Sequence, residues 1–191
     1  MNTKLPLGFE LIMSDNPIEY ASNNQLKSYS VIMQNSDLQS DTMIDIHFII
    51  NDLENHILLF IGILATHSML KNIDKRYQFD WPNTICFDNN IIAKCKTHKT
   101  NILHIQIKPI ISKKNIIIKI CHQIHFFMNK LKMINKKQIE NEMKNLIIRK
   151  KDKKNETVFY VNNIDEKGNL QIIDKEYKSH ELLLSDFICS K

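Results

Sequence analysis

The chain has 191 residues, 43% hydrophobic and 25% charged, with a formal net charge of +5, the profile of a soluble globular protein large enough for one good core and a small appendage. With only three glycines (Gly8, Gly62, Gly168) and two arginines (Arg76, Arg149), there is no P-loop, dinucleotide fingerprint or nucleophile elbow. The longest apolar run, ILLFIGILA, is far short of the ~20 residues of a membrane span, and no secretory segment opens the chain.

Four cysteines without a Cys-x-x-Cys pair fit reduced thiols and a cytoplasmic protein that touches no membrane. The lysines crowd into KKQIENEMKNLIIRKKDKKNE, where glutamates are interspersed. That pattern reads as a solvated face ending in a linker, and no nucleic-acid partner is expected.

Taken in chain order, residues 9–13 predict a short strand. Ser14-Asp15-Asn16-Pro17 supplies an N-cap and a first-turn proline for a helix over 17–26. Strands are expected over 29–34 and 42–50, on either side of a polar loop, NSDLQSD. Residues 53–70 have the spacing of a long buried helix. Strands follow over 85–87, 91–95 and 102–107, the first two joined in a hairpin about Asn89-Asn90. An amphipathic helix over 115–133 buries Ile116, Ile120, Ile124, Phe127 and Leu131 on one side, and a second helix spans 137–149. After the charged linker KKDKKNET come three short strands with Gly168 at a turn, a small β-barrel-like unit.

The stretch FDWPNTICFDNNIIAK, residues 79–94, carries the most information. Trp81-Pro82-Asn83 is followed by a strand, a turn and a second strand ending in Ile91-Ile92-Ala93-Lys94. Earlier come Ser14-Asp15-Asn16 at a strand-to-helix turn and Gln34 before the polar loop. Near the end stands NNIDEKGNLQI. In this order and spacing the chain resembles the biotin–protein ligases, in particular a poorly characterised biotin/lipoate ligase-like branch. The resemblance runs nearly end to end. It implies an α+β fold: a catalytic domain with a mixed sheet and packed helices over 1–150, and a small SH3-like β-domain over 157–191. A DNA-binding helix-turn-helix is not expected ahead of the first strand.

The resemblance implies ATP-dependent attachment of biotin to a lysine of a carboxylase's biotin carboxyl carrier domain, with ATP, biotin and Mg²⁺ as the small molecules and a homodimer paired through the sheets as the oligomer. By motif position, Ser14, Asp15, Asn16, Gln34, Ala93 and Lys94 fall on the biotin side, and Trp81, Asn83 and Lys108 on the nucleotide side; no catalytic residue is assigned.

Departures from the family pattern point elsewhere. The family's Gly/Arg loop corresponds to NSDLQSD, and its Gly-x-Gly-x-Asn strand to His104-Ile105-Gln106-Ile107-Lys108. Ile91 stands at the ligand lysine, and Thr84 at the acidic residue after Trp-Pro-Asn. Bringing a carboxylate against a triphosphate needs cations, and one lost electrostatic donor typically costs about 2.7–4 kcal/mol of barrier. The alternative is therefore a catalytically inactive ligase-fold protein that binds a protein or small ligand. Strand alternation puts Ile91 and Lys94 on opposite faces, so Lys94, Lys96 or Lys108 replaces the missing cation only where the register shifts. His47 and His104 read as packed strand residues, and Cys121-His122-x-x-His125 as part of an ordinary helix rather than a metal site, for want of a third ligand.

Overall fold

The computed structural model describes residues 5–24, 26–34, 43–80, 83–98, 101–146, 149–151, 158–165, 167–174 and 176–182. Strand β1 (Glu10–Met13) leads into helix α1 (Pro17–Asn23), then β2 (Ser30–Met33), β3 (Ile44–Ile49) and helix α2 (Asn55–Lys71). Strands β4 (Gln78–Asp80), β5 (Thr84–Phe87), β6 (Asn90–His98) and β7 (Ile102–Ile107) follow, then helices α3 (Lys113–Met133) and α4 (Lys136–Leu146). The last elements are β8 (Arg149–Lys151), β9 (Val158–Ile164), β10 (Leu170–Ile173) and β11 (Ser179–Leu182).

The first seven strands form one mixed sheet in the order β1-β2-β3-β7-β6-β5-β4. Only β1 and β2 run parallel; every other neighbouring pair is antiparallel. The expected α+β class is what the chain adopts. One face of the sheet carries Val31, Met33, Ile44, Ile46, Phe48, Leu103, Ile105 and Ile107, all fully buried. Helix α2 covers that face and is itself overlaid by α3 and α4. Thirteen of its 17 residues are buried, which explains an apolar sequence with no polar stripe. At Gly62 a Cβ would lie 2.4 Å from Leu103 Cδ1, so glycine is what lets helix and sheet approach here.

The second sheet, β11-β10-β9-β8, is antiparallel throughout. Its two tight turns use one device. Asp165 Oδ1 accepts from the N–H groups of Lys167 and Asn169, both at 2.8 Å, and Gly168 takes a left-handed φ of 85°. Asp174 Oδ1 accepts from Glu176 and Lys178 in the same way, with Tyr177 at φ 61° in the position of the glycine. Ile164, Leu170 and Ile172 continue the main core.

Several boundaries differ from the sequence reading. Helix α1 ends at Asn23, where Asn24 caps it through its N–H to the Tyr20 carbonyl. The hairpin turns on Asp88-Asn89, with φ of 47° and 64°, rather than on Asn89-Asn90; left-handed φ at both central residues suits the strands' right-handed twist. Strand β4 was not expected, and β8 lies where a linker was. The NSDLQSD loop and Trp81-Pro82 lie outside the described residues.

Candidate functional site

The face of the sheet turned away from α2 is polar at its centre. Register alone assembles it, because strand residues directly opposite one another share a face. One row runs Asp80–Thr84–Lys94–Gln106–Asp45 across β4, β5, β6, β7 and β3. The next runs Lys96–His104–His47–Ile32–Ile12. In the third, Ile102 and Ile49 are buried with Ile32 against Ala21 of α1 and Leu26, so that α1 and the chain after it wall off one end of the face.

Within this floor Asp45 Oδ1 accepts from His104 Nε2 at 2.5 Å and from Gln106 Nε2 at 3.2 Å. The His104 hydrogen bond holds the Asp45 carboxyl below its ordinary range against the opposing effect of burial. The His47 and His104 rings stack at 4.4 Å and 6°, and the ring of His98, on β6, lies 6.1 Å from that of His104. His47 is 5% exposed. Burial, with the neighbouring His104 adding, pushes it down to about 3, and burial also lowers His98. Both rings are therefore neutral near pH 7.

A β-bulge decides how Ile91 stands relative to the lysines. Ile85 faces Ala93, but the next residue, Cys86, faces Ile91, so Ile92 is the extra residue. Its carbonyl accepts the N–H of Lys108 at 2.9 Å. Ile92 and Ala93 are consecutively buried, as an unbulged strand with one solvated face would not allow. The extra residue breaks the alternation. Ile91, opposite Cys86, and Lys94, opposite Thr84, lie on the same open face. The expectation that they lie on opposite faces is corrected by this bulge. Lys94 is half-buried and, among the described residues, makes no hydrogen bond or ion pair.

The other residues singled out from the sequence fall into three places. Gln34 Nε2 donates to the Asp15 carbonyl at 2.8 Å, and the Ser14 N–H donates to the Met33 carbonyl, so Ser14, Asp15, Asn16 and Gln34 come together beside the ends of β1 and β2. Asn16 is the N-cap of α1: its Oδ1 accepts from the Glu19 N–H at 3.4 Å and its Nδ2 donates to Glu19 Oε2 at 2.6 Å. Asn83 and Lys94 border β5, the Asn83 carbonyl accepting the Cys95 N–H at 2.9 Å. Ala93 is fully buried on the helix side, and Lys108 is exposed beyond β7.

Sequence reasoning passed over Asp45, His98 and the pairing of His47 with His104. Polar residues at every second position, Asp45/His47 and His104/Gln106, were the available signal; the cross-strand register that joins them was not. An open cavity of about 510 Å³ on the helix layer, lined by Glu54, Asn135, Lys136, Lys137 and Glu140, is a weaker candidate. Its charges pair with each other, Lys136 meeting Glu54 at 2.8 Å and Glu140 at 3.9 Å.

No protein-family model and no curated protein matches the sequence. Solved structures do. A biotin protein ligase-like protein of unknown function from Silicibacter sp. TM1040 superposes with a TM-score of 0.73 at 7% identity, over 98% of this chain and 99% of that one. The biotin protein ligase of Aquifex aeolicus in complex with biotin and ATP gives 0.66 at 14% identity, over 91% and 95%. The biotin acetyl coenzyme A carboxylase synthetase of Helicobacter pylori, with bound biotinylated ATP, gives 0.53 at 14% identity, over 90% and 99%. The fold is that of the biotin protein ligases, as the motif resemblance implied.

Proposed function

We propose that this chain is an acyl ligase of the biotin protein ligase type with a rebuilt set of cations. It activates a biotin-class carboxylic acid with ATP and hands the acyl group to a lysine of a carrier domain. The observation that carries this reading is Lys94, an ammonium without a hydrogen-bond or ion-pair partner among the described residues, which its register with Thr84 and Gln106 sets on the open face, beside the uncharged Ile91 that the bulge at Ile92 brings there. A carboxylate and a triphosphate repel each other, and one positive charge at 4 Å offsets about 4 kcal/mol of that repulsion at an effective dielectric of 20.

Lys96, on the same face, adds a second cation, and Lys108 a third at the edge. In this reading Ser14, Asp15, Asn16 and Gln34 border the acid, while Asn83 and Trp81 border the nucleotide. The unit over 1–150 does the chemistry and the β-unit over 157–191 is appended to it, in the reducing cytoplasm. The described residues do not fit a protein-held Mg²⁺: no three acidic, His or Cys side chains are placed so that they could hold a metal ion, and the Asp45 carboxylate is committed to His104 and Gln106. No step is assigned to that ion.

Incubation with ATP, biotin and a biotin carboxyl carrier domain tests the reading. Carrier biotinylation above the enzyme-free control, reduced at least tenfold by Lys94→Ala, is expected; no biotinylation refutes it. One observation favours a second reading, a non-catalytic binder. His104, Gln106 and Asp45 fill the floor of the face with mutually bonded side chains, where the resemblance has glycines. Biotin binding by calorimetry without ATP–pyrophosphate exchange is its signature.

A further inference from the structure

We propose that His104 is the general base that takes the proton from the acceptor amine during acyl transfer, with Asp45 as the positioning residue that holds its ring; this rests on the acyl-transfer reading above. The Asp45 carboxylate accepts from His104 Nε2 at 2.5 Å. That bond fixes the hydrogen on Nε2 and leaves the lone pair on Nδ1. Gln106 Nε2, at 3.2 Å from the same carboxylate oxygen, fixes the acid in turn. The His104 ring cannot tilt freely, because His47 lies parallel beneath it.

Three imidazoles meet on this face, and their surroundings differ. His47 is 5% exposed; its Nδ1 is buried and has no hydrogen-bond partner among the described residues. His98 Nε2 is in the same condition. Among the described residues neither is aimed by a carboxylate. His104 is, and its side chain remains 17% exposed. The charged groups around it are Asp45 on β3 and Lys94 and Lys96 on β6, with the neutral His47 and His98. Among the described residues, the carboxylate in contact is therefore the one that orients the ring.

An acceptor lysine arrives as an ammonium ion and cannot attack until it loses a proton. That proton passes to His104 Nδ1 and from there to solvent. The freed amine lone pair forms the C–N bond to the acyl carbon, and the C–O bond to the phosphate breaks. The nucleotide monophosphate leaves with that electron pair, and the second proton shed by the nitrogen goes to solvent.

The experiment supplies preformed biotinyl-5′-AMP and follows its consumption with two acceptors. One is a carrier domain whose lysine is protonated at pH 7; the other is hydroxylamine, already neutral there. In His104→Gln the ratio of carrier rate to hydroxylamine rate is expected to fall roughly hundredfold, within the 10²–10⁴ range of general-base catalysis. Asp45→Asn is expected to lower the same ratio and to move the carrier pH profile. A merely structural loss lowers both rates together and leaves the ratio unchanged. A ratio that does not fall overturns the base while the acyl-transfer reading stands. Wild-type protein that passes biotin from the adenylate to neither acceptor overturns both.

Discussion

Acidification from pH 7 to pH 5 probes how the histidines are buried. Burial, more than any neighbouring charge, holds His47 at about 3 and His67 at about 4; His104 lowers the first further and Lys71 the second. In the unfolded chain both titrate near 6.5. Between pH 6.5 and about 4 the unfolded chain therefore binds two protons that the folded chain refuses, so stability rises with pH across that window and is lost as pH falls. Each histidine contributes a limiting slope of about 1.4 kcal/mol per pH unit, and the two together remove about 4 kcal/mol by pH 5. That is a large part of a typical stability of about 5–15 kcal/mol. His56 and His98, also lowered mainly by burial, act in the same direction. The depressed carboxyl of Asp45 acts elsewhere: its contribution is present above the unfolded pKa near 3.9 and fades only below it. Urea unfolding followed by circular dichroism at pH 7, 6 and 5 measures the effect. The urea midpoint should drop steeply, and His67→Gln should remove about one proton's worth of slope. A midpoint that stays flat from pH 7 to 5 would refute the burial argument.

Other substitutions test separate parts of the structure. Gly62→Ala gains about 1 kcal/mol of helix propensity but drives a methyl group into the buried Leu103, an overpacking cost of about 1–3 kcal/mol. A net loss of thermal stability is expected, and in a double-mutant cycle Leu103→Ala should relieve it; independent effects of the two changes would contradict the close approach. Tyr177→Gly at φ 61° should stabilise by about 1 kcal/mol, since left-handed backbone burdens a residue with a Cβ, and an unchanged melting temperature would count against that turn geometry. Burial pushes the Cys95 and Cys121 thiols up to about 12, while Cys86 is half-buried. Titration of the native protein with a thiol reagent should therefore lose a fast-reacting equivalent in Cys86→Ser and none in Cys95→Ser.

The elements were legible where a segment's own periodicity decides its structure. Helices α2 and α3 and strands β2, β3 and β7 follow directly from apolar spacing. The turn Asp165–Gly168 follows from one glycine with a left-handed φ, whereas its twin at Tyr177 gave no signal because tyrosine is not a turn residue. Hairpin chemistry was read one residue late: Asp88-Asn89 and Asn89-Asn90 are both turn-prone pairs, and only the pairing of Phe87 with Asn90 separates them. The candidate site was harder to read because it depends on register. Ile91 and Lys94 share the open face only through one unpaired residue, Ile92, and a bulge of that kind leaves no composition signal. Asp45 and His104 are 59 residues apart in sequence and meet diagonally across β3 and β7, a contact that periodicity within one strand cannot reveal.

The most direct test of the acyl-ligase reading is the intact mass of a biotin carboxyl carrier domain after incubation with the protein, ATP and biotin. The reading predicts the added mass of one biotinyl group, dependent on ATP and strongly reduced by Lys94→Ala. An unmodified carrier under conditions where a known biotin protein ligase modifies it to completion would contradict it.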